Sequence, residues 1–168
     1  LTDIGQVVAI DRQSFQTPWS ARSYAYEIGE STYSHMLVLE EKRPARLNGW
    51  RKLLRNLGGG GTARRILGYG GLWRIMEEAH ISTIASHAEW RGEGYGELLL
   101  AAMIRRAITL GAGYIVLEVR VSNTIAQNLY HKYEFKVVDV KRGYYRDNAE
   151  DAYDMRLDLE NTAVLDRF

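Results

Sequence analysis

Residues 91–96 read Arg91-Gly92-Glu93-Gly94-Tyr95-Gly96 and run directly into Glu97-Leu98-Leu99-Leu100. Glycine lets the backbone turn tightly and approach a neighbour or ligand closely. Beyond it, Leu99, Leu100, Met103, Ile104 and Ala107 recur on one face at helical spacing. The spacing predicts a helix over 94–110, stopped by Gly111. Upstream, 79–85 reads as a strand. A strand that feeds a glycine turn and then a helix leaves the first helical N–H groups free, and such groups hold phosphate without any side chain. Taken alone, the motif is equally an ordinary turn. A nucleotide P-loop is excluded, because no Lys-Ser/Thr pair follows at the needed position. A dinucleotide fold is disfavoured, because the spacing is Arg-x-x-Gly-x-Gly and the strands before it read as antiparallel.

The rest of the chain fits around this turn. Ile4, Val7, Val8 and Ile10 predict a helix over 2–15, and Ser20 is placed to cap a second over 21–28. Between them, Phe15-Gln16-Thr17-Pro18-Trp19 is a turn with two large rings. Residues 36–40 read as a short strand, and 66–73 with 79–85 as an antiparallel pair joined near Glu77-Glu78. Residues 114–121 are rich in β-branched side chains, which predicts a strand. Asn123 caps a helix whose buried stripe is expected to be Ile125, Ala126, Leu129, Tyr130 and Tyr133. Residues 135–140 and 153–159 make a final strand pair. The order is ααβββαβαββ, an α/β domain with a mixed sheet.

The chain has 168 residues, which suits one domain across 1–168. It contains no cysteine, which excludes disulfides, cysteine-based zinc sites and a cysteine nucleophile. No apolar run approaches the ~20 residues of a membrane span. The opening stretch carries Asp3, Asp11 and Arg12 and is not expected to be a signal peptide, so a soluble cytoplasmic protein is the expectation. The net charge of +1 conceals an asymmetry. Residues 42–65 carry eight Lys or Arg and no acid, a charge of +8 that leaves −7 on the rest. This basic insertion also holds Leu53, Leu54 and Leu57, which would suit a short amphipathic helix, and then Gly58-Gly59-Gly60-Gly61; Trp50 with those leucines leaves partner docking open.

Three downstream segments add to the glycine turn: Leu117-Glu118-Val119-Arg120, then Ser122-Asn123-Thr124-Ile125-Ala126-Gln127-Asn128-Leu129-Tyr130, then Gly143-Tyr144-Tyr145-Arg146. With these, the sequence resembles the GNAT acetyltransferases, and among them the bacterial RimI type that acetylates the N-terminal alanine of a ribosomal protein. Arg91, Gly94 and Gly96 meet the family's pyrophosphate-binding signature. Residues 117–130 and Phe15-Gln16-Thr17-Pro18-Trp19-Ser20 match the subgroup. The resemblance covers 2–40 and 66–159. It implies the GNAT fold, with a mixed and mostly antiparallel central sheet flanked by helices. It also implies acetyl-CoA as cosubstrate with no metal, and a protein N-terminus as acceptor, a small-subunit ribosomal protein being the subgroup's usual target.

The resemblance assigns roles. Glu118 would be the general base. Period 2 puts it on one strand face with Val116 and Arg120, and partial burial is expected to raise its pKa toward that of a useful base. A surface pair with Arg120 is the competing reading. Tyr130 would protonate the leaving thiolate, against the plainer reading of a core tyrosine. The turn Arg91, Gly92, Glu93, Gly94, Tyr95, Gly96 and Glu97 would hold the pyrophosphate. Backbone groups of Ile84, Ala85 and Ser86 would pair with the pantetheine arm and polarise the thioester. Asn123 and Ala126 would also touch that arm, and Asn123 serves equally as a helix cap. Phe15, Pro18, Trp19, Tyr144 and Tyr145 would clamp the acceptor peptide, although Phe15 and Trp19 suit helix packing as well. Without a cysteine, direct attack in a ternary complex is favoured over an acyl-enzyme. His80, alone on its strand, reads as structural.

Three places depart from the family pattern. Glu134 stands where Gly is usual, Arg146 stands where Pro is common, and the 42–65 insertion replaces a short turn. The insertion reads first as a solvated excursion. Contact with RNA, an acidic protein or an anionic surface is the alternative that its charge allows. Other acceptors, such as lysine side chains or small amines, and a ribosome-docking role for the insertion, remain rival functions.

Overall fold

A computed structural model describes residues 2–42 and 64–159. The interior of the basic insertion, with its expected helix and glycine run, and the tail after Leu159 lie outside the described residues. The elements are α1 (Ile4–Ser14), α2 (Ala21–Gly29), β1 (Ser34–Lys42), β2 (Arg64–Ile75) and β3 (Glu78–Ser86). They continue with α3 (Tyr95–Thr109), β4 (Tyr114–Arg120), α4 (Thr124–Lys132), β5 (Lys136–Tyr145) and β6 (Glu150–Asp158). A single 3-10 turn, Ala88–Trp90, precedes the glycine motif. The order is the ααβββαβαββ expected. One six-stranded sheet runs β1-β2-β3-β4-β6-β5. Every neighbouring pair is antiparallel except β3 and β4.

Two clusters flank the sheet. Met103, Ile104 and Ala107 of α3, with Tyr130 of α4, pack on Leu72, Ala79, Ile81, Ile115, Leu117, Met155 and Leu157. Val7, Val8 and Ile10 of α1 and Tyr24 of α2 pack on Ile66, Tyr69 and Ala85. Neighbouring residues of β2 face opposite ways. A Cβ on Gly70 would come within 2.5 Å of Met103 Sδ, so that side belongs to α3, while Tyr69 faces α2. Strand β3 serves both sides because its register slips by one residue. Gly71 pairs with Thr83 but Leu72 pairs with Ile81, which leaves Ser82 without a partner. The slip reverses the alternation. Ala79 and Ile81 therefore face α3, while Ala85 faces α1.

Local chemistry sets the helix ends. Ser20 Oγ accepts from Ser23 N–H at 3.0 Å, and Asn123 Oδ1 from Ala126 N–H at 3.1 Å. Gly111 takes φ +71° after α3. One expectation fails. Ile125, expected in the buried stripe of α4, is 84% exposed. It lies in the first turn, and α4 turns only its later residues, above all Tyr130, onto the core. Glu134 explains the missing glycine at that position. It adopts φ +67°, while its N–H bonds His131 O and the Phe135 N–H bonds Tyr130 O. That is the glycine-type helix stop built with a side chain. Two of the basic residues at the insertion's edge are paired. Arg64 meets Glu40 at 2.5 Å, and Arg65 meets Glu89 at 2.7 Å while lying 4.9 Å over the Trp90 ring. No helix among the described residues is long and apolar enough to cross a membrane.

Candidate active site

Strands β3 and β4 pair over three residues only, Glu78 with Tyr114, Ala79 with Ile115 and His80 with Val116. Beyond that they part. The cleft between them holds about 780 Å3 and is walled by Ile81–Ile84 on one side and Leu117–Arg120 on the other. Past His80, no strand among the described residues pairs with β3 on its β4 side, so among them the backbone groups of Ile84, Ala85 and Ser86 on that side are open to an extended ligand. At its far end β3 leads into the glycine turn. Gly92 and Gly94 take φ +85° and +82°, a region open to glycine, and Gly94 caps α3 without any side-chain bond. A Cβ on Gly92, Gly94 or Gly96 would meet nothing within 4 Å.

Among the expected residues, the cleft brings together Phe15, Trp19, Ile84, Glu118, Asn123, Ala126, Tyr130, Tyr144 and Tyr145. Pro18 is exposed and does not line it. Ala85 turns its side chain toward α1, and the turn residues 91–97 follow where β3 ends. Arg91 reaches back to α1, donating to Ser14 Oγ at 3.1 Å. Glu97 ties α3 to α4 through Lys132 at 2.5 Å and Tyr133 at 3.1 Å. A second hollow of about 510 Å3 lies between α1, α2 and β1. It holds neither the parted strands nor the carboxylate–phenol pair, so the larger cleft is the candidate site.

Glu118 does not pair with Arg120. Its Oε2 lies 2.7 Å from His80 Nε2, and its Oε1 accepts from Lys141 Nζ at 2.5 Å. Lys141 also meets Asp154 Oδ2 at 2.9 Å. The expectation of a raised pKa is therefore wrong. Burial pushes the Glu118 carboxyl upward, but the hydrogen bonds from His80 and Lys141, with the charges beside them, more than reverse it and hold it at about 2. Arg120 instead holds Asp147 at 2.8 Å and Glu150 at 3.0 Å and lies 3.8 Å over the Tyr145 ring. It thereby fixes the hairpin that carries Tyr144 and Tyr145. Burial raises the Tyr145 hydroxyl to about 12. Burial likewise raises Tyr130, whose ring packs against Phe135, so its hydroxyl stays protonated.

Sequence reading undervalued His80 and missed Lys141, Asp154 and Trp73. Trp19 stacks on Trp73 at 6.2 Å, Trp73 meets His80 edge-on at 5.5 Å, and His80 holds Glu118. The α1–α2 turn thus leans on the residue that orients the carboxylate. The turn is also pinned at its base. Asp11 Oδ2 accepts from Trp19 N–H at 2.6 Å, and its Oδ1 accepts from the hydroxyls of Tyr24 and Tyr69. The usable signal was parity, since once β3 and β4 are parallel neighbours, His80 beside Val116 faces the same side as Glu118. Among the described residues, no three His, Asp or Glu side chains are placed to hold a metal.

Comparison with known proteins agrees with this architecture. A Bacillus subtilis protein, provisionally named ribosomal protein bS18-alanine N-acetyltransferase, is 34% identical over 152 residues, spanning 90% of this chain and 87% of its own length. A Haemophilus influenzae ribosomal protein bS18-alanine N-acetyltransferase is 27% identical over 143 residues, 85% of this chain and 82% of its own. The crystal structure of the Escherichia coli ribosomal-protein-S18-alanine N-acetyltransferase superposes with a TM-score of 0.72 at 25% identity, covering 94% of this chain and 88% of that one. The family model for the acetyltransferase (GNAT) family matches residues 6–135, from α1 through the parted strands to the end of α4. A sheet opened beside a glycine turn, with a carboxylate and a phenol in the opening, is thus met in a chain that belongs to the GNAT acetyltransferase family.

Proposed function

We propose that the protein transfers the acetyl group of acetyl-CoA to the α-amine of a protein N-terminus, a small-subunit ribosomal protein being the natural acceptor. The carrying observation is the parted β3–β4 pair, which offers an unpaired strand edge beside a cleft containing Glu118 and Tyr130. The relatives' names point to the same acceptor. The open backbone of Ile84, Ala85 and Ser86 would pair with the pantetheine arm, Asn123 and Ala126 would line its path, and the helix-head N–H groups after Gly94 would hold the diphosphate. Arg91, Gly92, Glu93, Tyr95, Gly96 and Glu97 complete that turn. The amine nitrogen would attack the thioester carbonyl, forming the N–C bond as the C–S bond breaks. Tyr130, held protonated, would give its proton to the departing sulfur.

The low pKa of Glu118 alters its part. A carboxylate held at about 2 draws a proton only weakly from an ammonium of pKa ~8. It would orient an attacking amine that arrives neutral and pass the released proton on through water. Phe15, Trp19, Tyr144 and Tyr145 would form the peptide-side wall, with Pro18 shaping the turn. A peptide library incubated with acetyl-CoA and read by mass spectrometry tests this. Acetyl on N-terminal amines supports the reading, whereas product confined to lysine side chains or small amines refutes it.

A further inference from the structure

Lys141 is hydrogen-bonded directly to Glu118, the carboxylate of the cleft wall, and is a charged group that the transfer reaction leaves without a task. Its ammonium stands between two carboxylates on different strands, Glu118 at 2.5 Å and Asp154 at 2.9 Å. His80 holds the other oxygen of Glu118. From Lys141's own strand, the Tyr144 ring lies 5.7 Å away, with Tyr145 beside it. Arg120 is committed to Asp147 and Glu150, and Asp11 on α1 to Tyr24, Tyr69 and Trp19. Burial works against the charge of Lys141, but the hydrogen bonds to Glu118 and Asp154 outweigh it and keep the ammonium protonated.

We propose that Lys141 is a positioning residue that selects the acceptor by charge: it occupies the carboxylate an incoming ammonium would seek, so the cleft takes amines in their neutral form. This rests on the transferase reading above. An arriving ammonium would have to share Glu118 Oε1 with a second cation already 2.5 Å from it, and like charges so close repel. A neutral amine escapes that penalty. Near pH 7 about a tenth of an α-amine of pKa ~8 is neutral, but well under a thousandth of a lysine side chain of pKa ~10.4. The neutral fraction alone then favours the N-terminus over lysine by about 250-fold. Removing the cation would expose two carboxylates to an ammonium and would free Glu118 to become a stronger base. Both changes admit lysine.

The test uses one peptide carrying a free N-terminal alanine and an internal lysine. It is acetylated between pH 6.5 and 9, and the two products are separated by mass spectrometry. Lys141→Met should lower the α-to-lysine product ratio at least tenfold and flatten the rise of kcat/KM below pH 8. Lys141→Arg should keep both at wild-type values. Asp154→Asn, which leaves the Lys141 ammonium to Glu118 alone, should keep the rise at the amine's own pKa and hold the α-to-lysine ratio at or above the wild-type value, and it covers the case in which Lys141→Met does not fold. The role is overturned if Lys141→Met keeps the wild-type ratio and slope. It is equally overturned if that variant loses both products at an unchanged melting temperature, or if Asp154→Asn lowers the α-to-lysine ratio. Absence of both products with the wild-type protein would instead remove the transferase reading itself.

Discussion

Replacing Asp11 with Asn should cut one tether and spare the rest. Asp11 is 1% exposed and receives three donors. Both phenols converge on Oδ1, whereas the Trp19 N–H alone reaches Oδ2. An Asn amide keeps the two phenols by placing its oxygen at the Oδ1 position. Its NH2 then points at the Trp19 N–H, donor against donor. The variant therefore loses one charge-assisted hydrogen bond outright, worth about 1.5–3 kcal/mol, strands a part-buried N–H, and turns the two phenol bonds into weaker neutral ones. For a chain of this size each kcal/mol moves the melting temperature about 2–4 °C, so the loss of that bond should lower the midpoint by about 3–12 °C. The released segment carries Phe15 and Trp19, so the peptide KM should rise about tenfold while the affinity for coenzyme A holds. Thermal melts followed by circular dichroism give the first number, and steady-state kinetics well below the new midpoint give the second. A midpoint within about 1 °C of wild type, or equal losses in peptide and coenzyme A affinity, would refute this account of Asp11.

Three further outcomes follow from other residues. Glu118→Gln and Tyr130→Phe should each lower turnover by about 10²–10⁴ in single-turnover assays, and normal rates in both would remove their assigned roles. The lowered pKa of Glu118 makes its stabilisation present above about pH 4.5 and lost as the pH falls toward 2. Wild type should then lose up to about 3 kcal/mol over that window relative to Glu118→Gln, read from urea midpoints at each pH. Glu134→Gly should raise the melting temperature by a few degrees, since a side chain at φ +67° costs about 1–2 kcal/mol that glycine does not. A drop would show that the Glu134 side chain contributes more than its backbone costs.

Much of this architecture is legible along the chain, because it is set by near neighbours. The apolar stripe of α3 buries Leu99, Leu100, Met103, Ile104 and Ala107 as its spacing predicts. The caps at Ser20 and Asn123 form, and Gly111 takes the left-handed conformation. What escapes is whatever depends on strand order. The partners of Glu118 come from positions 38 residues before it and 23 after it, and no local pattern brings them together. The pKa expectation fails for the same reason, since burial was visible in the alternation of β4 while the two donors were not. The unpaired Ser82 is likewise silent in sequence, because the strand keeps alternating while its two ends serve different faces. Ile125 misleads because an apolar residue in a first turn need not face the core.

The three-pair seam between β3 and β4 makes the sheet two antiparallel leaves, β1-β2-β3 and β4-β6-β5, sewn by a few stitches. An extended arm lying in the gap would supply the missing rungs and bind the leaves into a single slab. Occupancy would then add stability as the logarithm of ligand concentration, about 2.7 kcal/mol at a hundred times Kd. The gain would fall at the centre of the molecule, slowing amide exchange in Ile81–Ile84 and Leu117–Arg120 and leaving the outer strands untouched. The opening that admits the reactant is thus also the join that the reactant closes.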